Sequence, residues 1–283
     1  MFDAMFASTP AAPGVRVEAA TVGGIAGFWL RPVNARPGAR VLYLHGGGYV
    51  LGSAQAFTGF VGQIAHRAGA DAFVPDYRLA PEHPFPAAID DAVAAYHGLV
   101  TDGTERIVVV GDSAGGGLTL ALLSILASDK TKGMVQPVGA AAMSPWTDLA
   151  LTGESFETRA QADPIFTRGV LQSFADLYLQ GQDAANPKAS PLHAPLRGLP
   201  PIRIDVGYDE VLLADSIRYT ERAQAAGVEI TLSVWEGMAH VFQSSLGQFR
   251  AAEQSVNAIG EFLRQRLDAL ADDAVPSNSL KGA

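Results

Sequence analysis

Apolar residues along this chain come in short runs that alternate with longer amphipathic stretches. Val15 to Glu18 and Ile25 to Leu30 are β-like runs, and Thr21-Val-Gly-Gly24 between them is a hairpin signal. Val41-Leu-Tyr-Leu44 is apolar throughout, as expected of a strand covered on both faces. Ala72 to Pro75, the run from Arg106 to Val110, Val138 to Met143, Ile202 to Val206 and Glu229 to Trp235 continue the series. Helical stretches lie between them: Phe57 to Ala68, Ala87 to Leu99 behind Pro86, Ala114 to Ser124, Leu213 to Ala226 ended by Gly227, and a long amphipathic Leu246 to Leu270. Strands alternating with helices of about a dozen residues predict an α/β fold, with a mostly parallel sheet wrapped on both faces. Ligands of such a sheet sit beyond the carboxyl ends of its strands.

The rhythm stops from Leu149 to about Pro201. There Arg168 to Leu179 has helical spacing and Asn186 to Pro201 is rich in proline, so this insert is expected to form a cap. The start, Met1-Phe-Asp-Ala-Met-Phe-Ala7, carries an acid and lacks the basic n-region of a signal peptide. It is expected to be a short apolar helix lying on the body. Ala271 to Ala283 is polar and expected to fray. We find no internal repeat, and expect a single domain over 1–283 with cap material from about 1–14 and 149–201.

Composition narrows the possibilities. With 283 residues and 48% apolar content the chain can bury a large core as one domain. A net charge of −9 with dispersed acids and bases leaves no basic stripe for nucleic acid. No cysteine is present, which excludes disulfides and thiolate metal sites. No apolar run reaches membrane-spanning length. A soluble cytoplasmic protein is expected.

The unusual residues fall where strands end. In Gly111-Asp-Ser113-Ala-Gly115 a β-branched run meets a small-residue helix with a serine at the apex, the context that G-x-S-x-G needs to be a nucleophile elbow. Gly111 and Gly115 are required where the strand and helix backbones converge. A serine hydroxyl needs a base within hydrogen-bond reach, and the base needs an orienting acid. Of six histidines, His240 follows the last strand on a glycine-containing loop and is the best-placed base. Asp209, after the strand ending at Val206, is the expected acid; Glu210 is its neighbour and rival, and Asp205 lies inside the strand. The order Ser113, Asp209, His240 is that of the α/β-hydrolase arrangement. In His45-Gly46-Gly47-Gly48 consecutive glycines let bare backbone approach a substrate. The amides of Gly47, Gly48 and Ala114 are expected to grip an oxyanion, and His45 to orient the loop by a hydrogen bond.

Taken with Asp76-Tyr-Arg-Leu-Ala-Pro-Glu-His-Pro-Phe-Pro-Ala-Ala88 and Ser144-Pro-Trp-Thr-Asp148, these motifs resemble the bacterial hormone-sensitive-lipase-like esterases of the α/β-hydrolase superfamily, from about Arg40 to Leu270. The resemblance implies an eight-stranded sheet with a helical cap and hydrolysis of short- to medium-chain carboxylic esters. It assigns Ser113 as nucleophile, His240 as base, Asp209 as acid, and Gly47, Gly48 and Ala114 as oxyanion amides. The chain departs from the family where Asp-Pro-Leu is usual at the acid and Asp209-Glu210-Val211 stands here. Only 44 residues precede His45, fewer than is common in the family, so a reduced cap and a more open pocket are expected.

The expected chemistry is acyl transfer through an acyl-enzyme, with no metal or organic cofactor and a small-molecule ester as partner. A lactone or amide hydrolase of the same fold is the alternative, and a non-catalytic binding relative the more distant one. Tyr49, Trp146 and Phe242, each beside a catalytic loop, are expected to line the pocket, with packing under the cap as the equal alternative. The last strand and last helix offer an edge for a homodimer.

Overall fold

The computed structural model describes residues 2–128 and 134–269. An eight-stranded sheet in the order β1-β2-β4-β3-β5-β6-β7-β8 forms its centre. The strands are β1 (Val15–Val22), β2 (Ile25–Pro32), β3 (Ala39–Leu44), β4 (Asp71–Pro75), β5 (Arg106–Asp112), β6 (Pro137–Met143), β7 (Ile202–Gly207) and β8 (Ile230–Trp235). Pairings β1–β2 and β2–β4 are antiparallel; all the others are parallel. The helices are α1 (Phe2–Ala7), α2 (Ala54–Ala68), α3 (Ala87–Thr101), α4 (Ser113–Ser128), α5 (Ser155–Thr158), α6 (Arg168–Leu179), α7 (Leu213–Ala225) and α8 (Arg250–Asp268).

Strand side chains alternate between two cores. Leu42, Leu44, Ile107, Val109, Ala140 and Ala142 face the layer of α3, α4 and α7, together with cap residues such as Leu171 and Tyr178. Tyr43, Val41, Val108, Val110, Ala141 and Met143 face the layer of α1, α2 and α8. Burying a Val or Leu on either face contributes roughly 1.5–3 kcal/mol over leaving it exposed. The continuous apolar runs of β3 and β5 are thus the mark of central strands covered on both faces.

The start of the chain lies on the body as expected: Phe6 stacks on Phe57 of α2 with ring centroids 3.9 Å apart. Two helix starts differ from the periodicity. Helix α2 begins at Ala54, ahead of its first large apolar residue, because the Ser53 hydroxyl accepts the Ala56 N–H and caps it. Helix α8 starts at Arg250, later than expected, because a 3-10 turn at Phe242–Ser245 and Gly247 interrupt the backbone first. The insert also holds the single-turn α5. The expected fraying tail, 271–283, lies outside the described residues. Among the described residues no helix is long and apolar enough to cross a membrane. Strand β8 is one edge of the sheet, with Val234 partly exposed on it.

Candidate active site

At the carboxyl end of β5 the chain reverses at Ser113, which has φ 53°, a left-handed conformation for a non-glycine residue. Such a residue costs on the order of 1–3 kcal/mol and persists only where its surroundings impose it. They do so here by close packing. A Cβ on Gly115 would lie 2.0 Å from the Leu44 carbonyl oxygen, and one on Gly111 would lie 2.2 Å from the Gly115 carbonyl oxygen. The Ser113 carbonyl also accepts the Trp146 N–H at 3.0 Å, which ties the turn to the loop after β6.

The loop after β8 brings His240 to this turn, with Nε2 2.8 Å from Ser113 Oγ. The other ring nitrogen donates to a carboxylate, so the neutral ring presents an acceptor at Nε2. That carboxylate belongs to Glu210, whose Oε2 lies 2.7 Å from His240 Nδ1. Here the expectation of Asp209 is corrected. Asp209 is half-exposed, and its backbone N–H donates to the Met238 carbonyl at 3.0 Å, which fixes the turn with its side chain aside. The next residue then points inward. Glu210 is fully buried, and Oε1 folds back to accept the Gly207 N–H at 2.6 Å and the Ser144 hydroxyl at 2.8 Å. Asp205, the carboxylate inside a strand, is held instead by Arg203 at 2.7 Å, Trp235 Nε1 at 2.9 Å and Ser255 at 3.1 Å. It pairs with Arg203, while His240 takes Glu210.

The glycine loop follows β3. Its Gly46 N–H donates to Asp112 Oδ1 at 3.0 Å, and the Tyr43 hydroxyl donates to the same oxygen at 2.7 Å. Burial pushes the Asp112 carboxyl up to about 6, partly offset by these hydrogen bonds. His45 takes the orienting part expected of it: Nδ1 bonds the Gly46 carbonyl at 2.7 Å. Burial lowers its pKa, which favours the neutral ring. It stacks on Tyr77 at 4.3 Å, and the Tyr77 hydroxyl donates to the His45 carbonyl at 2.6 Å. Gly48 has φ 63°. Ala114 sits in the first turn of α4, where helix geometry leaves its N–H without an intrahelical partner. Asp112 and Tyr77 lie inside the quoted motifs but carry no distinctive spacing, so sequence reasoning passed over them.

Cap residues roof the site. The Phe166 ring meets the His240 ring edge-on at 4.9 Å. The Phe174 ring, on α6, rests on Gly48 so closely that a Cβ there would come within 2.3 Å of Cδ2. Ser113 is only 6% and His240 only 7% exposed, so little of either side chain is open to solvent. The reason is that α6 supplies the roof, while α1 packs on α2. Helix α6 is fixed by the Thr167 cap and by Leu171, Ala175, Tyr178 and Leu179 on its buried face. Of the three expected pocket residues, Tyr49 stacks on Tyr178 at 4.0 Å with Trp146 beside it, and Phe242 packs on Trp235 at 5.5 Å. All three are buried. The cap rings that meet His240 and Gly48 are Phe166 and Phe174, which a helical stripe alone does not distinguish from core.

Among the described residues no group of three or more His, Asp or Glu side chains is arranged to hold a metal ion. The arrangement that is present, an acid, an imidazole and a hydroxyl in hydrogen-bonded series beside a glycine loop, is suited to moving one proton off an alcohol and back.

Comparison with known proteins places the fold and the family. Residues 41–244 match the family model described as the alpha/beta hydrolase fold. The chain is 39% identical to an acetyl-hydrolase of Streptomyces hygroscopicus over 87% of its length and 82% of the relative's. It is 34% identical to an esterase of Acinetobacter venetianus, covering 89% and 83%. Among solved structures, an esterase from the bacterial hormone-sensitive lipase family superposes with TM-score 0.90 at 42% identity, covering 94% of this chain and 89% of that one. An esterase soaked with p-nitrophenyl butyrate superposes with TM-score 0.87 at 45% identity, covering 93% and 89%.

Proposed function

This chain belongs to the α/β-hydrolase family, among the bacterial hormone-sensitive-lipase esterases, and is a carboxylic ester hydrolase; from that premise we propose that it cleaves short- to medium-chain esters through a Ser113–His240–Glu210 triad. The observation that carries the proposal is the unbroken series of two contacts, 2.7 Å from Glu210 to His240 and 2.8 Å from His240 to Ser113. Ser113 Oγ attacks the ester carbonyl carbon as its proton passes to His240 Nε2. Glu210 holds the ring in the tautomer with Nδ1–H and stabilises the imidazolium that forms. The carbonyl oxygen, now negative, takes the amides of Gly47, Gly48 and Ala114; one such donor is typically worth about 3 kcal/mol of barrier. His240 then returns the proton to the departing alcohol. Water, activated by the same imidazole, releases the acid from Ser113.

Phe166 and Phe174 supply the apolar walls that a short acyl chain or small alcohol would meet. Their closeness to His240 and Gly48 is the ground for placing short chains ahead of long ones.

Ser113→Ala tests the scheme. We expect turnover of p-nitrophenyl butyrate to fall by on the order of 10⁶-fold, by analogy with triad nucleophiles elsewhere. Labelling by a fluorophosphonate probe should vanish with it, while the thermal transition stays. A variant that still turns over the ester near the wild-type rate would refute the assignment.

A further inference from the structure

One buried hydroxyl outside the proposed triad touches the mounts of both its imidazole and its acid. Ser144 is the first residue after β6, fully buried, with φ 47°. Its Oγ donates to Glu210 Oε1 at 2.8 Å and accepts the Val241 N–H at 3.1 Å. Val241 directly follows His240 and is itself left-handed, with φ 49°, an unfavourable place for a β-branched residue. The Ser144 backbone N–H is anchored to the Asp205 carbonyl at 2.9 Å, so the hydroxyl is presented from the sheet and not from a free loop.

We propose that Ser144 is a positioning residue for this reaction: one hydroxyl clips the Glu210 carboxylate to the backbone behind His240 and fixes their relative geometry. Three loops, after β6, β7 and β8, meet at that oxygen. The two left-handed residues joined by this bond are strained positions that a dedicated clip would hold and a spacer would not. Its second contact also occupies Oε1 of Glu210, together with the Gly207 N–H, which leaves Oε2 to the imidazole. The substitution that keeps the strain and removes the clip is Ser144→Ala. The one that removes both is Ser144→Gly.

The inference rests on the proposed serine-esterase chemistry, and the experiment separates the two. Wild type, Ser144→Ala and Ser144→Gly are titrated with a fluorophosphonate, and kcat and KM for p-nitrophenyl butyrate are expressed per labelled site. For both variants we expect kcat per site to drop by about 10²-fold, the size of a misplaced catalytic group, with KM within about twofold and labelling slower by the same factor. A Ser144→Gly enzyme with wild-type kcat per site would overturn the proposal, since the hydroxyl would then be dispensable. So would fewer labelled sites, each with unchanged kcat, which would mean that Ser144 serves folding alone. Failure of both variants to fold would also assign the residue to the fold and overturn it. If the wild type itself neither labels nor hydrolyses the ester, the esterase chemistry fails, not the clip.

Discussion

The two halves of the active site are held by different means. On the nucleophile side, the turn that carries Ser113 is set mainly by backbone sterics: a Cβ on Gly115 would lie 2.0 Å from the Leu44 carbonyl oxygen, and the register of β3 on β5 brings up the glycine loop, which Asp112 and Tyr77 then tie down. On the imidazole side, His240 and Glu210 sit on separate loops whose geometry depends on side-chain hydrogen bonds between Ser144, Glu210 and Val241. Backbone clashes are short-ranged and leave compact motifs. Hydrogen bonds across loops join residues far apart in the chain and leave almost none. The first half should therefore tolerate loss of a polar contact better than the second.

The largest break in that comparison should come from Glu210. Glu210→Gln keeps the shape but can present an amide N–H to His240, favouring the wrong tautomer. We expect kcat for p-nitrophenyl butyrate to fall by about 10⁴-fold, as for an acid-to-amide change in another Ser-His-Asp enzyme. Asp209→Asn, one residue away and half-exposed, should stay within about twofold of wild type. Steady-state kinetics on the pair decides the matter: the reverse ranking would return the acid to Asp209.

On the nucleophile side the corresponding carboxylate is Asp112, which takes the Gly46 N–H and the Tyr43 hydroxyl. Burial raises its pKa to about 6, so folding favours its protonated form. The sign follows. Its contribution to stability is full below the ordinary aspartate range and is lost as pH rises through about 6. The shift, about two units, corresponds to roughly 3 kcal/mol over the whole range, of which more than about 1 kcal/mol falls between pH 5 and 8. Asp112→Asn keeps the acceptor and removes the titration. Urea melts at pH 5 and pH 8 should show the variant gaining on the wild type by that amount at the higher pH; parallel curves would contradict the buried-acid assignment.

What could be read from the sequence follows the same division. The parallel sheet, the elbow at Ser113 and the role of His45 were legible because continuous apolar runs and obligatory glycines encode them locally. Glu210 was not. Asp209 and Glu210 are adjacent carboxylates, and which one points inward is decided by a turn pinned through the Asp209 N–H to Met238, on another loop. The Ser53 cap that moves the start of α2 carried a local signal, but periodicity alone passed over it. The covering of Gly48 comes from α6, with Phe174, and the spacing of that helix alone does not tell a roof from core.

The smallest expected effect lies where that roof touches the glycine loop. Phe174 rests on Gly48 without a hydrogen bond to any proposed catalytic group, so its removal should change which ester fits and not how the proton moves. Phe174→Ala opens space about the size of a ring beside the Gly48 amide. The ratio of kcat/KM for p-nitrophenyl octanoate to that for p-nitrophenyl butyrate should rise about tenfold, which is within the usual worth of a few methylenes in an apolar pocket. Phe166→Ala, which bares the His240 edge, provides the comparison from the imidazole side. If Phe174→Ala leaves the ratio where it was and Phe166→Ala moves it, the acyl chain runs past His240 and the glycine side only holds the oxyanion. If both move it, the two halves share one pocket despite their different construction.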